Sequence, residues 1–479
     1  MRRLLLTLVS VCIASHLSLA QQDMSFSVAR SAMLENNSAM RGERHLLDAA
    51  YDNMRATRGM YLPTINIMGG FTLLQRDISI DLGGAKGIVT NSLQSLINNG
   101  VNSGILSNDL ASLLSQGLAP IIGANWRYTL QKRTVGYIGT TITMPIYAGG
   151  KVNIANRIAK QQLDMARYSL DATESHLLTE LVERYYGVIL TRKVVEVRQM
   201  AVNAVSQHLA DAKAMEEEGL VAHSVVVYLQ YRLSEAEGKL RDAESKNRVA
   251  EYALSTIVGE DIIVNPTDGI FLSNNIQNID YYREAALNLN HILQEAEAEQ
   301  NIANEGVKLA RAALLPEVVA MGGAVIYGYQ LSDILPRWTV GVGINFTLFD
   351  GLGKERRLKA AQSAVMGVSE MVDNARDNIL LLIDKEYFTL ENSLQDVTTS
   401  ARAIEFAESY YNSAIVGFNE GLTSGSDLMD ACAELATSRV EYLNAAYNSC
   451  VALARLLEAS GLSSTFDLYR VNCSNIDIE

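Results

Sequence analysis

Between residues 338 and 349 apolar and polar side chains alternate without a break. Trp338, Val340, Val342, Ile344, Phe346 and Leu348 share one face, with Thr339, Gly341, Gly343, Asn345 and Thr347 on the other. A period of two marks a β-strand with one apolar and one polar side. The same pattern sets Ile138, Ile142, Met144 and Ile146 against Tyr137, Gly139, Thr141 and Thr143. These segments predict strands over 127–147 and 337–349. Two less regular strands, over 64–76 and 317–330, are each introduced by a proline, Pro63 or Pro316.

Past each regular strand the period lengthens to seven. Leu181, Val188, Val195, Val202 and Leu209 recur every seven residues, as do Ile383, Leu390, Val397, Ile404 and Tyr411. A sustained heptad seam signals helices packed lengthwise against partners. The returning segments keep it less strictly, at Leu233, Leu240 and Leu254 and at Leu435, Tyr442 and Leu456, with Asn247 and Ser449 as polar breaks. Helices are predicted over 24–60, 151–218, 225–258, 281–313, 353–418 and 427–460. Residues 151–218 alone give roughly 100 Å of helix at about 1.5 Å per residue. Gly219-Leu220 and Gly421-Leu422 interrupt the long runs at equivalent places, followed by Ser224 and by Ser426-Asp427. Glycine supplies the stop, and the hydroxyl or carboxylate is expected to cap the next helix.

Equivalence of the two halves is quantitative. Ala32, Leu34, Asn37, Pro63, Met68, Gly69 and Gly70 match Ala285, Leu287, Asn290, Pro316, Met321, Gly322 and Gly323, each pair 253 apart. Tyr147, Gly149, Tyr185, Gly219, Leu220, Ser224 and Gly259 match Phe349, Gly351, Tyr387, Gly421, Leu422, Ser426 and Gly461, each pair 202 apart. The chain is therefore a double copy of a helix-strand-strand-helix-helix unit. One copy spans 21–260 and the other 281–461, with a linker over 261–280 and a tail over 462–479. The offsets differ by 51, so the first copy carries that many extra residues, rich in Gly, Asn, Ser and Leu, over about 76–127. They read as a loop insertion at one end of a hairpin.

The start, Met1-Arg2-Arg3 followed by an apolar run and Ser18-Leu19-Ala20, reads as a secretory signal peptide over 1–20. The apolar run is too short to span a bilayer, and Val11 before Cys12 argues against lipidation there. Removing Arg2 and Arg3 from the 40 basic residues leaves 38 against 54 acidic ones, a net charge of −16. Such a balance speaks against a nucleic-acid partner, which needs a basic face. Cys432, Cys450 and Cys473 remain, an odd number that specifies no disulfide framework. Six prolines in 479 residues suit long uninterrupted helices. No segment after the signal has the roughly 20 apolar residues of a spanning helix. Entry into a membrane would require a closed barrel, and four strands per chain close one only if several chains contribute.

Enzymatic chemistry finds little support. His16, His45, His176, His208, His223 and His291 show no metal-ligand spacing. Around Gly351-Leu352-Gly353-Lys354, Leu348 and Glu355 stand where a phosphate loop needs Gly and Ser or Thr. No catalytic, cofactor or metal site is expected.

Several short stretches then resemble the TolC-like outer-membrane factors: Ala-Met-Leu-Glu-Asn-Asn at 32–37 with Ala-Ala-Leu-Asn-Leu-Asn at 285–290, Tyr-Leu-Pro at 61–63 with Leu-Leu-Pro at 314–316, Pro-Ile-Tyr-Ala-Gly-Gly at 145–150 with Thr-Leu-Phe-Asp-Gly at 347–351, and the turns at 219 and 421. The resemblance implies a mainly α fold with a membrane β-barrel. It implies a homotrimer whose twelve strands form the barrel and whose twelve helices continue it as an α-barrel. It implies an exit duct in the outer membrane, extending into the periplasm and met by a periplasmic adaptor and an inner-membrane pump of an efflux or type I secretion system. Val340, Val342, Ile344 and Phe346 would face outer-membrane lipid. Gly219, Leu220, Ser224, Gly421, Leu422 and Ser426 would form the docking tips. Asp427 and Asp430, three apart beyond the second tip, match the carboxylate pair lining the periplasmic entrance of similar channels, and the gate positions that polar and charged links hold in the best-known members correspond here to Phe418, Thr423, Ser224 and Val225, so those ties would be weaker or different. In the other copy Val225 and Tyr228 take the places of the two aspartates, so the acidity belongs to one tip alone. A periplasmic coiled-coil adaptor or scaffold without a pore is the alternative that the heptads allow.

Overall fold

The computed structural model describes residues 21–81, 127–259, 263–273, 275–471 and 474–475, with scattered positions between 92 and 114. The segment expected to be a signal peptide, most of the expected 76–127 insert and Cys473 lie outside the described residues. In chain order the elements are β1 (Gln21–Met24), α1 (Phe26–Asn36), α2 (Ser38–Arg58), β2 (Thr64–Leu73), β3 (Ile78–Asp81), β4 (Arg127–Gln131), β5 (Thr134–Tyr147), α3 (Lys151–Glu217) and α4 (His223–Val258). The second half adds β6 (Ile263–Pro266), β7 (Phe271–Leu272), α5 (Ile279–Leu289), α6 (His291–Ala312), β8 (Glu317–Tyr329), β9 (Trp338–Asn345), α7 (Gly353–Asn419), α8 (Gly425–Ala459), α9 (Phe466–Val471) and β10 (Ser474–Asn475). Two compact units emerge. Of the described residues, one takes in those of Asn53–Lys160 and Ala303–Ala364, the other those of Met1–Asp52, Gln161–Ile302 and Val365–Glu479.

The first unit is built on an antiparallel sheet of order β2-β5-β8-β9. Its register sorts the faces. One cross-strand row reads Ile65, Ile142, Gly322, Val340, and the row beside it Thr64, Thr143, Met321, Gly341. Alternation is therefore carried across all four strands over this stretch, between shifts of the β5–β8 register at Ile138/Gly139 and Pro145/Tyr147. Two expected strands are corrected. The 127–147 segment is split into β4 and β5, because the Arg133 N–H donates to the Asp77 carboxylate at 2.5 Å and leaves the ladder; β4 pairs with β3 as a hairpin of its own. The 337–349 segment stops at Asn345, so Phe346 lies just past the strand end.

In the second unit the expected helices over 24–60 and 281–313 are each broken once, at Asn37 and Asn290, where the backbone turns extended. Both asparagines are buried and do the same two jobs. Asn37 Nδ2 donates to the Ile257 carbonyl and its Oδ1 accepts from the Ala39 N–H. Asn290 Nδ2 donates to the Ala459 carbonyl and its Oδ1 accepts from the Leu293 N–H. The side chain thus caps the new helix while satisfying an orphan carbonyl of the helix end opposite.

Around these breaks lies the main core of that unit. Phe26, Tyr185, Tyr186, Phe271 and Phe466 pack edge-on, tilted or, for Phe26 on Tyr186, stacked at centroid distances of 5.3–5.9 Å, with Leu181, Leu254, Ile257, Tyr282 and Leu456 fully buried beside them. Here the expectation of four strands alone fails. β1 pairs in parallel with β6, and β7 antiparallel with β10. These two-stranded pieces hold the linker and tail against the core. The heptad positions Leu181, Val188, Ile383, Leu390 and Val397 are buried, and the polar break Asn247 accepts a hydrogen bond from Thr191 at 2.9 Å.

Candidate functional site: sheet faces and helix tips

The four residues expected against lipid are exposed in the chain, Val340 at 79% and Phe346 at 49%. They extend a row that includes Ile65, Ile67, Phe71, Ile138, Ile142 and Trp338, all exposed. An apolar surface of this extent on a sheet in water would be a severe liability. Neither β2 nor β9 has a second strand partner among the described residues, so both edges are open.

In the helical unit, α3 and α7 end in the same turn. Leu220 N–H donates to the Met215 carbonyl at 2.8 Å and Gly219 N–H to Glu216 at 2.9 Å. Leu422 N–H donates to Gly417 at 2.7 Å and Gly421 N–H to Phe418 at 3.1 Å. This is the Schellman arrangement, in which the penultimate residue takes a left-handed conformation. Gly219 and Gly421 do so, with φ of +73° and +74°. A leucine following such a turn ordinarily folds back on its own helix. Leu220 and Leu422 instead remain 66% and 80% exposed.

The capping assignments change. Ala222 precedes α4 and offers no side-chain cap, leaving Ser224 inside the first turn. On the other side Ser424 is the cap: its Oγ accepts from the Asp427 N–H at 3.2 Å and donates to the Asp427 carboxylate at 2.8 Å. Ser426 contacts Ser424 Oγ at 2.7 Å and caps nothing. Ser424-x-x-Asp427 is a capping-box pattern readable in the sequence. Asp427 makes no ion pair among the described residues. Asp430 does, to Arg232 Nη2 at 2.5 Å. Phe418 is 4% exposed and packs with Leu229, Leu428 and Met429 in a small tip core, so it holds the tip together within one chain. His208 Nε2 lies 2.7 Å from the Tyr411 hydroxyl, bridging α3 and α7. Burial lowers the His208 pKa, against a smaller raising influence of Asp211, and pushes the Tyr411 hydroxyl up to about 12. Arg232 and His208 carry no motif. Arg232 was legible only as the residue one turn beyond Tyr228, the position equivalent to Asp430.

Among the described residues no helix is long and apolar enough to cross a membrane, and no group of three His, Cys, Asp or Glu side chains is arranged to hold a metal ion. The chain's likenesses agree with this geometry. TolC of Vibrio cholerae is 23% identical over 328 residues, covering 66% of this chain and 74% of that protein. The outer membrane efflux protein BepC of Brucella suis is 22% identical over 333 residues, covering 69% and 73%. Among solved structures, CusC superposes with a TM-score of 0.72 at 14% identity over 93% of this chain and 95% of that one. VceC of Vibrio cholerae gives 0.71 at 13% over 91% and 96%. The family model for outer membrane efflux proteins matches residues 29–260 and 282–462, one stretch for each copy. The duplicated helices, the two-faced sheet and these matches lead to one conclusion: the chain belongs to the outer membrane efflux protein family and is an exit channel of the outer membrane.

Proposed function

We propose that three copies join their sheets edge to edge into a twelve-stranded barrel and that their long helices continue it as a periplasmic conduit. Substrates handed over by an inner-membrane pump and its periplasmic adaptor leave through it. The observation that carries this reading is a four-stranded sheet with an exposed apolar face and two unpartnered edges. Barrel closure removes the edges, and lipid covers the face. A periplasmic scaffold without a pore would leave both in water. The exposed Leu220 and Leu422 offer the adaptor an apolar contact at each tip, presented by rigid turns. Cross-linking in cells followed by purification tests the scheme. The expected product is a trimer in the outer-membrane fraction that brings adaptor and pump with it, and Leu220→Asp with Leu422→Asp releases the adaptor while leaving the trimer. A soluble monomer, or adaptor retained by the double variant, contradicts it.

A further inference from the structure

Among the described residues, Arg232 is the one cation paired with Asp427 or Asp430, and its surroundings fix it in place. Its side chain is 19% exposed, against 66% for Asp430. Nη1 bonds Glu235 Oε2 at 3.0 Å, Nη2 bonds Asp430 Oδ1 at 2.5 Å, and the guanidinium lies 5.7 Å from the Tyr228 ring centroid. Glu235 is shared with Lys239 at 2.9 Å, so it neutralises Arg232 only in part. The remaining positive charge is directed across from α4 to Asp430 on α8. Tyr228 and Asp430 occupy equivalent positions of the two copies, 202 apart, and both converge on this guanidinium. The duplication has left one copy with an aromatic face for the cation and given the other a counter-charge.

An exposed carboxylate paired at this distance contributes little field beyond a few ångströms, because the opposite charges cancel and salt screens what remains. Asp427 is different. It accepts from Ser424, a neutral partner, and has no ion pair among the described residues. The two aspartates that sequence spacing makes alike are electrostatically unlike in the folded chain.

We propose that Arg232 is a selectivity-setting residue of the tip: paired with Asp430, it silences one of the two carboxylates and leaves Asp427 as the acidic group that passing ions meet. The proposal rests on the reading of the tip as the periplasmic entrance of a trimeric channel. Asp430 becomes a second ring of charge only where the α4–α8 pair is broken, which ties the charge displayed at the entrance to the separation of these two helices.

Single-channel recordings on the purified full-length protein decide it, with reversal potentials in a salt gradient and block by hexamminecobalt(III) added on the tip side. Arg232→Gln should raise cation preference and tighten the block by about threefold or more, the scale of freeing a surface charge in each copy. Asp430→Asn alone should weaken both by less than Asp427→Asn does, because the Arg232 it frees keeps Glu235 as a partner. Adding Asp430→Asn to Arg232→Gln should erase the gain. Additive, independent effects of the two substitutions would overturn the proposal. So would an Asp430→Asn protein that loses block as fully as Asp427→Asn, a comparison that stands even if Arg232→Gln does not assemble. A parent protein that inserts no channels would instead remove the channel reading itself.

Discussion

Val342→Arg is the sharpest probe of the barrel register. Val342 sits mid-strand on β9, opposite Ala320, and is 64% exposed on the apolar face. An arginine at mid-bilayer in such a barrel costs about 2–4 kcal/mol, so three symmetric copies lose about 6–12 kcal/mol per trimer. That rivals the whole stability of a typical domain, about 5–15 kcal/mol, and assembly should fail. Gly341→Arg is the matched control on the opposite face. A side chain there meets nothing within 4 Å, whereas one at Gly343 would strike the Met321 terminal methyl at 2.7 Å. Gly341→Arg should therefore assemble with a change of less than about 1 kcal/mol. The assay is the heat-resistant trimer in outer-membrane fractions on denaturing gels. Equal assembly of the two variants, or assembly of Val342→Arg alone, would refute the assignment of faces.

Asn37→Ala and Asn290→Ala should each destabilise the helical unit by about 1–3 kcal/mol, the cost of stranding a buried carbonyl and a helix N–H; urea titration of the helical circular dichroism should show similar shifts for both. Gly421→Val should cost about 1–2 kcal/mol per copy through φ alone, since no atom lies within 4 Å of an added Cβ. It should abolish export while the trimer still forms, and loss of the trimer would place the turn in the folding core. His208 is held below its ordinary value of 6.5 by burial, so the unfolded chain takes up the proton first as pH falls. The tip packing should be at full strength above about pH 6.5 and weaken below it, as read by hydrogen exchange around Tyr411, and His208→Gln should flatten that dependence.

The long helices, the sheet and the tips were legible because each follows from a local rule repeated in both copies. Heptads set α3 and α7, alternation set β5 and β9, and glycine pairs set the turns. The glycines at 149 and 351, 219 and 421, and 259 and 461 all adopt positive φ, a conformation glycine takes without a Cβ penalty; at the equivalent pair 150 and 352 the second copy holds it with a leucine. The helix breaks were not legible. Asn37 and Asn290 were visible as a matched pair, but their purpose depends on carbonyls 220 and 169 residues away. The short strands at β1, β6, β7 and β10 are too brief to show a period. The tip chemistry was half legible: spacing placed Asp427 and Asp430 on one helix face, but only the fold brings Arg232 from α4 to one of them.

Conductance is the most direct test of the central claim. Protein purified from the outer membrane and added to a planar lipid bilayer should open in discrete, uniform steps, with a cation preference that falls in Asp427→Asn. Protein that reaches the outer membrane as a trimer yet passes no current at any voltage, or conducts with anion preference unaffected by Asp427, would contradict the account of these chains as an exit duct with an acidic periplasmic entrance.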